Sequence, residues 1–323
     1  MSRPKVLLTR RWPEAVERHL ASRYELTLNT GDMPMDKVAL IAAMRDHDAL
    51  CPTVSDVIDA DVVNAADARV RIIGNYGVGY NHIDVAAAAR RGITVTNTPD
   101  VLTDATADLA VLLMLMAARR AGEGERELRG GSWSGWRPTH LLGQDLGGRT
   151  LGLIGFGRIA QAVARRAHHG FGMKIIYNSR RPAAQDVEGQ TGAQYVAAVD
   201  DLVAQSDVLS LHCPGGAETH HLINAQRIAA MKPNALLINT ARGSVVDEAA
   251  LATALADGRI AGAGLDVYER EPQVHPRLLA LENVVLLPHL GSATMETRVA
   301  MGMRVADNLD RFFNGGPVRD RVA

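Results

Sequence analysis

At 323 residues the chain exceeds what one hydrophobic core ordinarily organises, so two domains are expected. Apolar residues make up 47% and charged residues 22%, which are globular proportions and exclude a disordered chain. Lysine plus arginine (35) nearly cancels aspartate plus glutamate (36), and no long basic run occurs, so an electrostatic footprint for nucleic acid or anionic lipid is excluded and small molecules are the expected partners.

From the N-terminus, short aliphatic or β-branched runs alternate with helix-like stretches: KVLLT, YELTL, DALCPT, RIIGNYG and ITVTNT, with VALIAAMRDH and VAAAARRG among the intervening segments. This alternation predicts βα units around a parallel sheet. Residues 103–129 read as one long helical stretch, and the Gly/Trp-rich loop GGSWSGWRPTHLLGQDLGG then breaks the rhythm. A second series follows: TLGLIGFG, KIIYNS, AQYV, DVLSLHC, NALLINT, IAGAGLDV and NVVLLPH, apolar enough for strands covered on both faces. Residues 294–313 have helical apolar spacing and end at the stop signal Asn314-Gly315-Gly316-Pro317. The fold class expected is therefore α/β, with two doubly wound parallel sheets. The longest apolar run, residues 109–118, is about half the ~20 residues of a membrane span, and no apolar signal segment opens the chain. Cys51 and Cys213 have no CxxC or metal-ligand spacing, so a reducing cytoplasm is expected.

Gly152, Gly155, Gly157 and Ala160 fall in GLIGFGRIA, after a strand-like run and at the opening of a helix-like one. That is the GxGxxA turn of a dinucleotide-binding βαβ unit. Glycine is needed where the turn is tight and the backbone approaches the pyrophosphate, and the helix N-terminus behind it offers free N–H groups and partial positive charge. The contacts expected from the turn are Gly155, Phe156, Gly157, Arg158 and Ile159. An acidic residue ordinarily ends the next strand and bonds the adenosine ribose of NAD; here the chain reads Asn178-Ser179-Arg180-Arg181. Without a carboxylate to repel a 2′-phosphate, and with two guanidiniums to bind it, NADP is expected over NAD.

In an open α/β sheet ligands lie beyond the carboxyl ends of the strands. Arg242 follows ALLINTA, Glu269 and Glu271 follow GAGLDVY, and His289 follows VVLLP. An arginine grips a carboxylate bidentately, and a histidine near a carboxylate is kept protonated to act as an acid. Those functions suit a dehydrogenase of 2-keto acids. The pattern does not choose between Glu269 and Glu271.

The segments NYGVGYNHID, TDATADLAVLLMLMAARR, GLIGFGRIA, NTARGSVVDEAAL, GLDVYEREP and LPHLGSAT occur in one order across almost the whole chain. Together they resemble the D-2-hydroxyacid dehydrogenase family and, within it, the glyoxylate/hydroxypyruvate reductases. The resemblance implies that Arg242 anchors the substrate carboxylate, His289 is the acid/base and Glu271 holds His289 protonated, leaving Glu269 a surface role. It implies substrate contacts from the backbone at Val78 and Gly79, cofactor contacts from Thr106, Cys213, Pro214, Thr240, Ala241 and Gly291, and a bond from Asp266 to the nicotinamide carboxamide. By the same resemblance Trp136, with Trp133, reaches toward a partner's site in a homodimer.

The resemblance also implies a discontinuous substrate domain, 1–99 plus 291–323, a dinucleotide domain at 100–290, and an interdomain cleft that closes on substrate. The expected reaction is NADPH-dependent reduction of glyoxylate or hydroxypyruvate. The rivals are another specificity, such as D-lactate or 3-phosphoglycerate, and a dinucleotide-sensing binding protein like the corepressors that share the fold; Glu271 argues against a formate dehydrogenase, whose pattern replaces it. His168-His169 and His220-His221 are adjacent pairs rather than residues three or four apart on a helix, so no metal site is expected.

Overall fold

A computed structural model describes residues 3–323, which divide into two compact units. The first runs to Leu102 and resumes at Ser292–Ala323; the second is Thr103–Gly291.

The strands of the first unit are β1 (Lys5–Leu8), β2 (Glu25–Leu28), β3 (Ala49–Cys51), β4 (Ile72–Gly74) and β5 (Thr94–Thr96). They pair in parallel in the order β2-β1-β3-β4-β5, the flavodoxin-like arrangement. β1, β3, β4 and β5 are almost wholly buried because helices cover both faces, which is why their sequences are apolar without alternation. Helix starts are marked by side chains that accept free N–H groups: Asp36 from Ala39, Asp84 from Ala87, and Thr294 from Thr297 at the head of the helix Met295–Phe313. That last helix packs on the first unit. A Cβ on Gly302 would lie 2.6 Å from Val16 of the helix Glu14–Arg23, and one on Gly74 of β4 would lie 2.7 Å from Val305, so small residues set how closely this helix approaches both its neighbouring helix and the sheet.

The second unit contains β6 (Thr150–Ile154), β7 (Lys174–Asn178), β8 (Ala193–Tyr195), β9 (Val208–Leu211), β10 (Leu236–Asn239), β11 (Gly262–Leu265) and β12 (Val284–Leu286). All pairs are parallel and the order is β12-β11-β10-β9-β6-β7-β8. The chain winds outward from β6 to β8, then returns to β9 and winds the other way. The strand order therefore reverses between β6 and β9, the place where a doubly wound sheet opens a crevice for a ligand.

The expected single helix over 103–129 is in fact two, Thr103–Ala118 and Ala121–Arg129, separated by Arg120 at φ 51°. The cause lies downstream. The N–H of Gln144 takes the carbonyl of Ala118 at 2.8 Å, and a Cβ on Gly143 would sit 2.4 Å from that oxygen, so the returning loop caps the first helix and stops it. Among the described residues no helix is long and apolar enough to cross a membrane.

Candidate active site

The glycine turn follows β6. Gly155 has φ 84°, and a Cβ there would lie 2.7 Å from the Cys213 nitrogen and 2.8 Å from the His212 carbonyl carbon, so both backbone angle and space demand glycine. The turn thus abuts the end of β9, at the strand reversal. Gly157 caps the helix Arg158–Phe171 with no side-chain bond to its first turn, and a Cβ on it would meet nothing within 4 Å. Free N–H groups with open space before them suit a pyrophosphate. Ala160 is fully buried, and Ile159 packs against the same core. Phe156 differs from what a contact residue would show: its ring is buried and stacked on Tyr177 at 3.8 Å, so only its backbone faces the turn.

At the end of β7 the Asn178 amide is spent on the Val196 and Ala197 carbonyls, at 2.9 and 3.0 Å, which joins this strand end to the segment after β8. Ser179 donates to the Arg181 carbonyl at 2.5 Å. The Tyr177 hydroxyl accepts from the Ala183 N–H and donates to Glu188, both at 2.7 Å, and so folds the loop that carries the arginines. Arg180 and Arg181 are exposed, and among the described residues no hydrogen bond or ion pair engages either guanidinium.

Farther along the strand ends, burial pushes the Cys213 thiol up to about 11, so it is a neutral wall at this site. Pro214 beside it is exposed, Ala241 is buried with its N–H on Asn239, and the Thr240 hydroxyl is buried without a partner. An orphaned buried hydroxyl at a strand end, an open glycine turn and an uncapped helix together fit a dinucleotide. Thr106, Asp266 and Gly291 converge: a Cβ on Gly291 would lie 3.3 Å from Asp266 Oδ2 and 3.5 Å from Thr106 Cγ2.

The structure brings the three catalytic candidates into one electrostatic group. His289 Nδ1 lies 2.8 Å from Glu271 Oε2, and Glu271 Oε1 accepts the Tyr268 N–H at 3.1 Å. Burial raises the Glu271 carboxyl, but the bond and charge of His289, the Tyr268 N–H and the charge of Arg242 outweigh it, and the net shift is downward. Arg242 shows the converse: burial lowers its guanidinium while the Glu271 charge opposes the shift. Its Nη1 donates to the Ala241 carbonyl at 2.7 Å, and Asn239 holds its own carbonyl at 2.9 Å. Asp247 caps the helix Glu248–Ala256 rather than pairing with Arg242.

Of the two glutamates, Glu271 is the one on His289. Glu269 is not a free surface group: its carboxylate is hydrogen-bonded to His221 Nε2, and its N–H donates to Glu248 at 2.7 Å.

In the first unit the carbonyls of Gly77 and Gly79 are held by Asn75 and that of Val78 by Asn97, at 2.9 to 3.0 Å. The N–H groups of Val78 and Gly79 make no backbone hydrogen bond among the described residues. Trp136 is 83% exposed and Trp133 51%; the described chain does not bury either. Sequence reasoning missed Tyr268, whose N–H holds Glu271, Tyr177, whose hydroxyl folds the arginine loop, and, within the first unit, Asn75 and Asn97, which hold the carbonyls of residues 77–79. Only Tyr177, beside the expected cofactor loop, carried a positional signal.

The model of the NAD-binding domain of D-isomer specific 2-hydroxyacid dehydrogenases matches residues 111–291. The glyoxylate reductase of Thermococcus onnurineus is 48% identical over 317 residues, 97% of this chain and 94% of that protein. That of Thermococcus kodakarensis is 49% identical over 319 residues, 97% and 94%. A crystal structure of the NADPH-dependent glyoxylate/hydroxypyruvate reductase of Sinorhizobium meliloti, with NADP and malonate, superposes with a TM-score of 0.88 at 40% identity, covering 100% of this chain and 97% of that one. A strand reversal lined for a nicotinamide dinucleotide, an Arg-Glu-His group beside it and likeness along the full chain agree, and the chain belongs to the D-isomer specific 2-hydroxyacid dehydrogenase family of oxidoreductases.

Proposed function

We propose that the chain reduces glyoxylate and hydroxypyruvate to glycolate and D-glycerate, with NADPH as the preferred reductant and NAD(H) the poorer one. The observation that carries the chemistry is the 2.8 Å bond between His289 Nδ1 and Glu271, with Arg242 inside the same field of charge. A nitrogen committed to a carboxylate leaves Nε2 as the one that exchanges a proton with substrate. In this reading Arg242 grips the substrate carboxylate and orients the keto group. A bound reduced nicotinamide supplies the hydride to the carbonyl carbon. His289 gives its proton to the carbonyl oxygen as the π bond breaks, and the neutral imidazole is then reprotonated from solvent.

The substrate assignment is supported by the glyoxylate reductases among the relatives, and the cofactor preference by the NADP-bound homologue together with the two disengaged arginines. The first unit is assigned to substrate and the second to the dinucleotide. Trp133 and Trp136, with Leu128 and Leu142, leave apolar surface on one stretch of the chain, which a second copy would cover in a homodimer. Both cysteines are free and buried, which suits the cytoplasm.

The test is a panel of 2-keto acids, glyoxylate, hydroxypyruvate, pyruvate and phosphohydroxypyruvate, against NADPH and NADH by nicotinamide absorbance, with His289→Gln as control. Highest kcat/KM for glyoxylate or hydroxypyruvate with NADPH, abolished in the control, is expected. A preference for another acid or for NADH overturns that part of the reading, and full activity in His289→Gln overturns the mechanism.

A further inference from the structure

We propose that His220, His221 and Glu269 form a binding site for one divalent ion of the zinc, nickel, cobalt and copper class, separate from the Arg242, Glu271 and His289 group. Each residue offers one ligating atom, and the three atoms lie within 4.8 Å of one another. Glu269 comes from the segment after β11, and the two histidines from the segment after β9, 48 residues earlier in the case of His221.

Adjacent side chains in an extended chain point to opposite sides, so two neighbouring histidines ordinarily cannot share a ligand. Here the backbone removes that obstacle. His221 sits in the left-handed region at φ 48° after an extended His220, and the two rings lie on the same side, with centroids 4.0 Å apart and planes 24° from parallel. The conformation is held from outside the pair: the His221 N–H donates to the Ser244 carbonyl at 2.8 Å, and the Ile223 N–H to Val245 at 2.9 Å. The Glu269 backbone is anchored in turn by Glu248. Two of the three donors are therefore pre-positioned on fixed backbone, while His220 is exposed and has room to rotate its ring from the stack toward an ion.

An ion pair between His221 and Glu269 accounts for those two groups alone. It does not account for the third donor drawn to the same point. Two imidazoles and one carboxylate select borderline ions over calcium or magnesium, and three protein ligands leave a position for water. The ion takes the place of the proton between His221 Nε2 and Glu269, so binding releases protons and weakens as pH falls. It would cross-link the segment that follows Cys213 and Pro214 to the one that carries Glu271 two residues beyond Glu269, which predicts a more heat-resistant protein when loaded.

The test uses the full chain freed of metal by chelator. Zinc chloride is titrated by calorimetry and cobalt chloride by visible absorption, each on wild type, His220→Ala, His221→Ala, Glu269→Gln and a His168→Ala/His169→Ala control that removes the other histidine pair. One ion per chain, with affinity lowered about tenfold or more in His220→Ala and unchanged in the control, is expected. His220→Ala is decisive because it leaves the His221 and Glu269 pair in place, so a folding defect in the other variants does not obscure the result. Absence of saturable binding in the wild type, or equal affinity in His220→Ala, overturns the proposal.

Discussion

The backbone carbonyl of Asp266 accepts the N–H of His289 at 2.9 Å, and the Asp266 carboxylate accepts the next two N–H groups, Leu290 at 2.6 Å and Gly291 at 2.8 Å. His289 itself has φ 54°, a left-handed angle uncommon for a residue with a side chain, and here the surroundings hold it there. Asp266 is what holds it. It lies at the end of β11 with 1% exposure, and burial raises its carboxyl against the two N–H groups and the His289 charge that favour ionisation. Asp266→Ala would strand buried N–H groups at about 1–3 kcal/mol of stability. It would also release the turn that aims the imidazole, lowering kcat on the order of 10²-fold. Thermal melts and steady-state kinetics check both; a normal kcat would show that the turn holds its shape without the aspartate.

Glu271 is ionised across the working range because its carboxyl is shifted down. The sign follows directly. Any stability from this carboxylate is present above the ordinary glutamate range and is lost as pH falls through the lower folded value. Replacing it by glutamine should leave the acid side of activity nearly untouched and act on the alkaline side. The ring loses the carboxylate that holds it at Nδ1, so kcat for reduction is expected to fall more than KM changes, with the greater loss at alkaline pH. Profiles of kcat/KM against pH in both directions test this, and a profile matching that of the wild type would separate Glu271 from the proton transfer.

Much of this architecture was legible in the sequence because it rests on local rules. Strand runs buried on both faces announce themselves, and a GxGxxA turn between strand and helix fixes where β6 ends. Arg242, His289 and the two glutamates Glu269 and Glu271 stood out as polar residues just past apolar runs, and only the family resemblance chose Glu271. What escaped was set by groups distant in the chain. The break at Arg120 is caused by the Gln144 amide, the role of Asp266 by two amides beyond His289, and the pairing of Glu269 by a histidine on another loop. Phe156 was placed in the cofactor turn by its position alone, and only packing shows its ring turned inward onto Tyr177.

The Tyr177 hydroxyl, bonded to Ala183 and Glu188, sets the shape of the loop that presents Arg180 and Arg181. If those arginines hold a 2′-phosphate, each charge-assisted bond is worth about 1.5–3 kcal/mol. Arg180→Ala or Arg181→Ala should then raise KM for NADPH by roughly tenfold or more, with little change for NADH. Tyr177→Phe should shift the same ratio in the same direction by a smaller factor, since it loosens the loop without removing a charge. Equal effects on both cofactors would place these residues in general folding rather than in phosphate recognition.

Two glycines on the site make opposite predictions, and together they separate folding from binding. A Cβ on Gly243 would lie 1.8 Å from the carbonyl carbon of Tyr268 and 2.2 Å from the Glu269 nitrogen. Those are backbone atoms, so nothing can yield by rotating a side chain. Gly243→Ala must push the loop after β10 away from the loop after β11, and these loops carry Arg242 and Glu271. The expected result is a loss of about 3 kcal/mol or more in stability, or failure to accumulate as folded protein. Gly157 is the reverse case. Its φ is −78°, and a Cβ there meets no protein atom within 4 Å. Alanine should therefore fold with a Tm at or slightly above that of the wild type. The added methyl instead occupies the space before the helix N–H groups, where a pyrophosphate must come close, so KM for both nicotinamide cofactors should rise together. Melting curves and cofactor titrations on the two variants give the comparison. A Gly157→Ala protein that binds either cofactor as well as wild type would mean that the dinucleotide does not cross this turn.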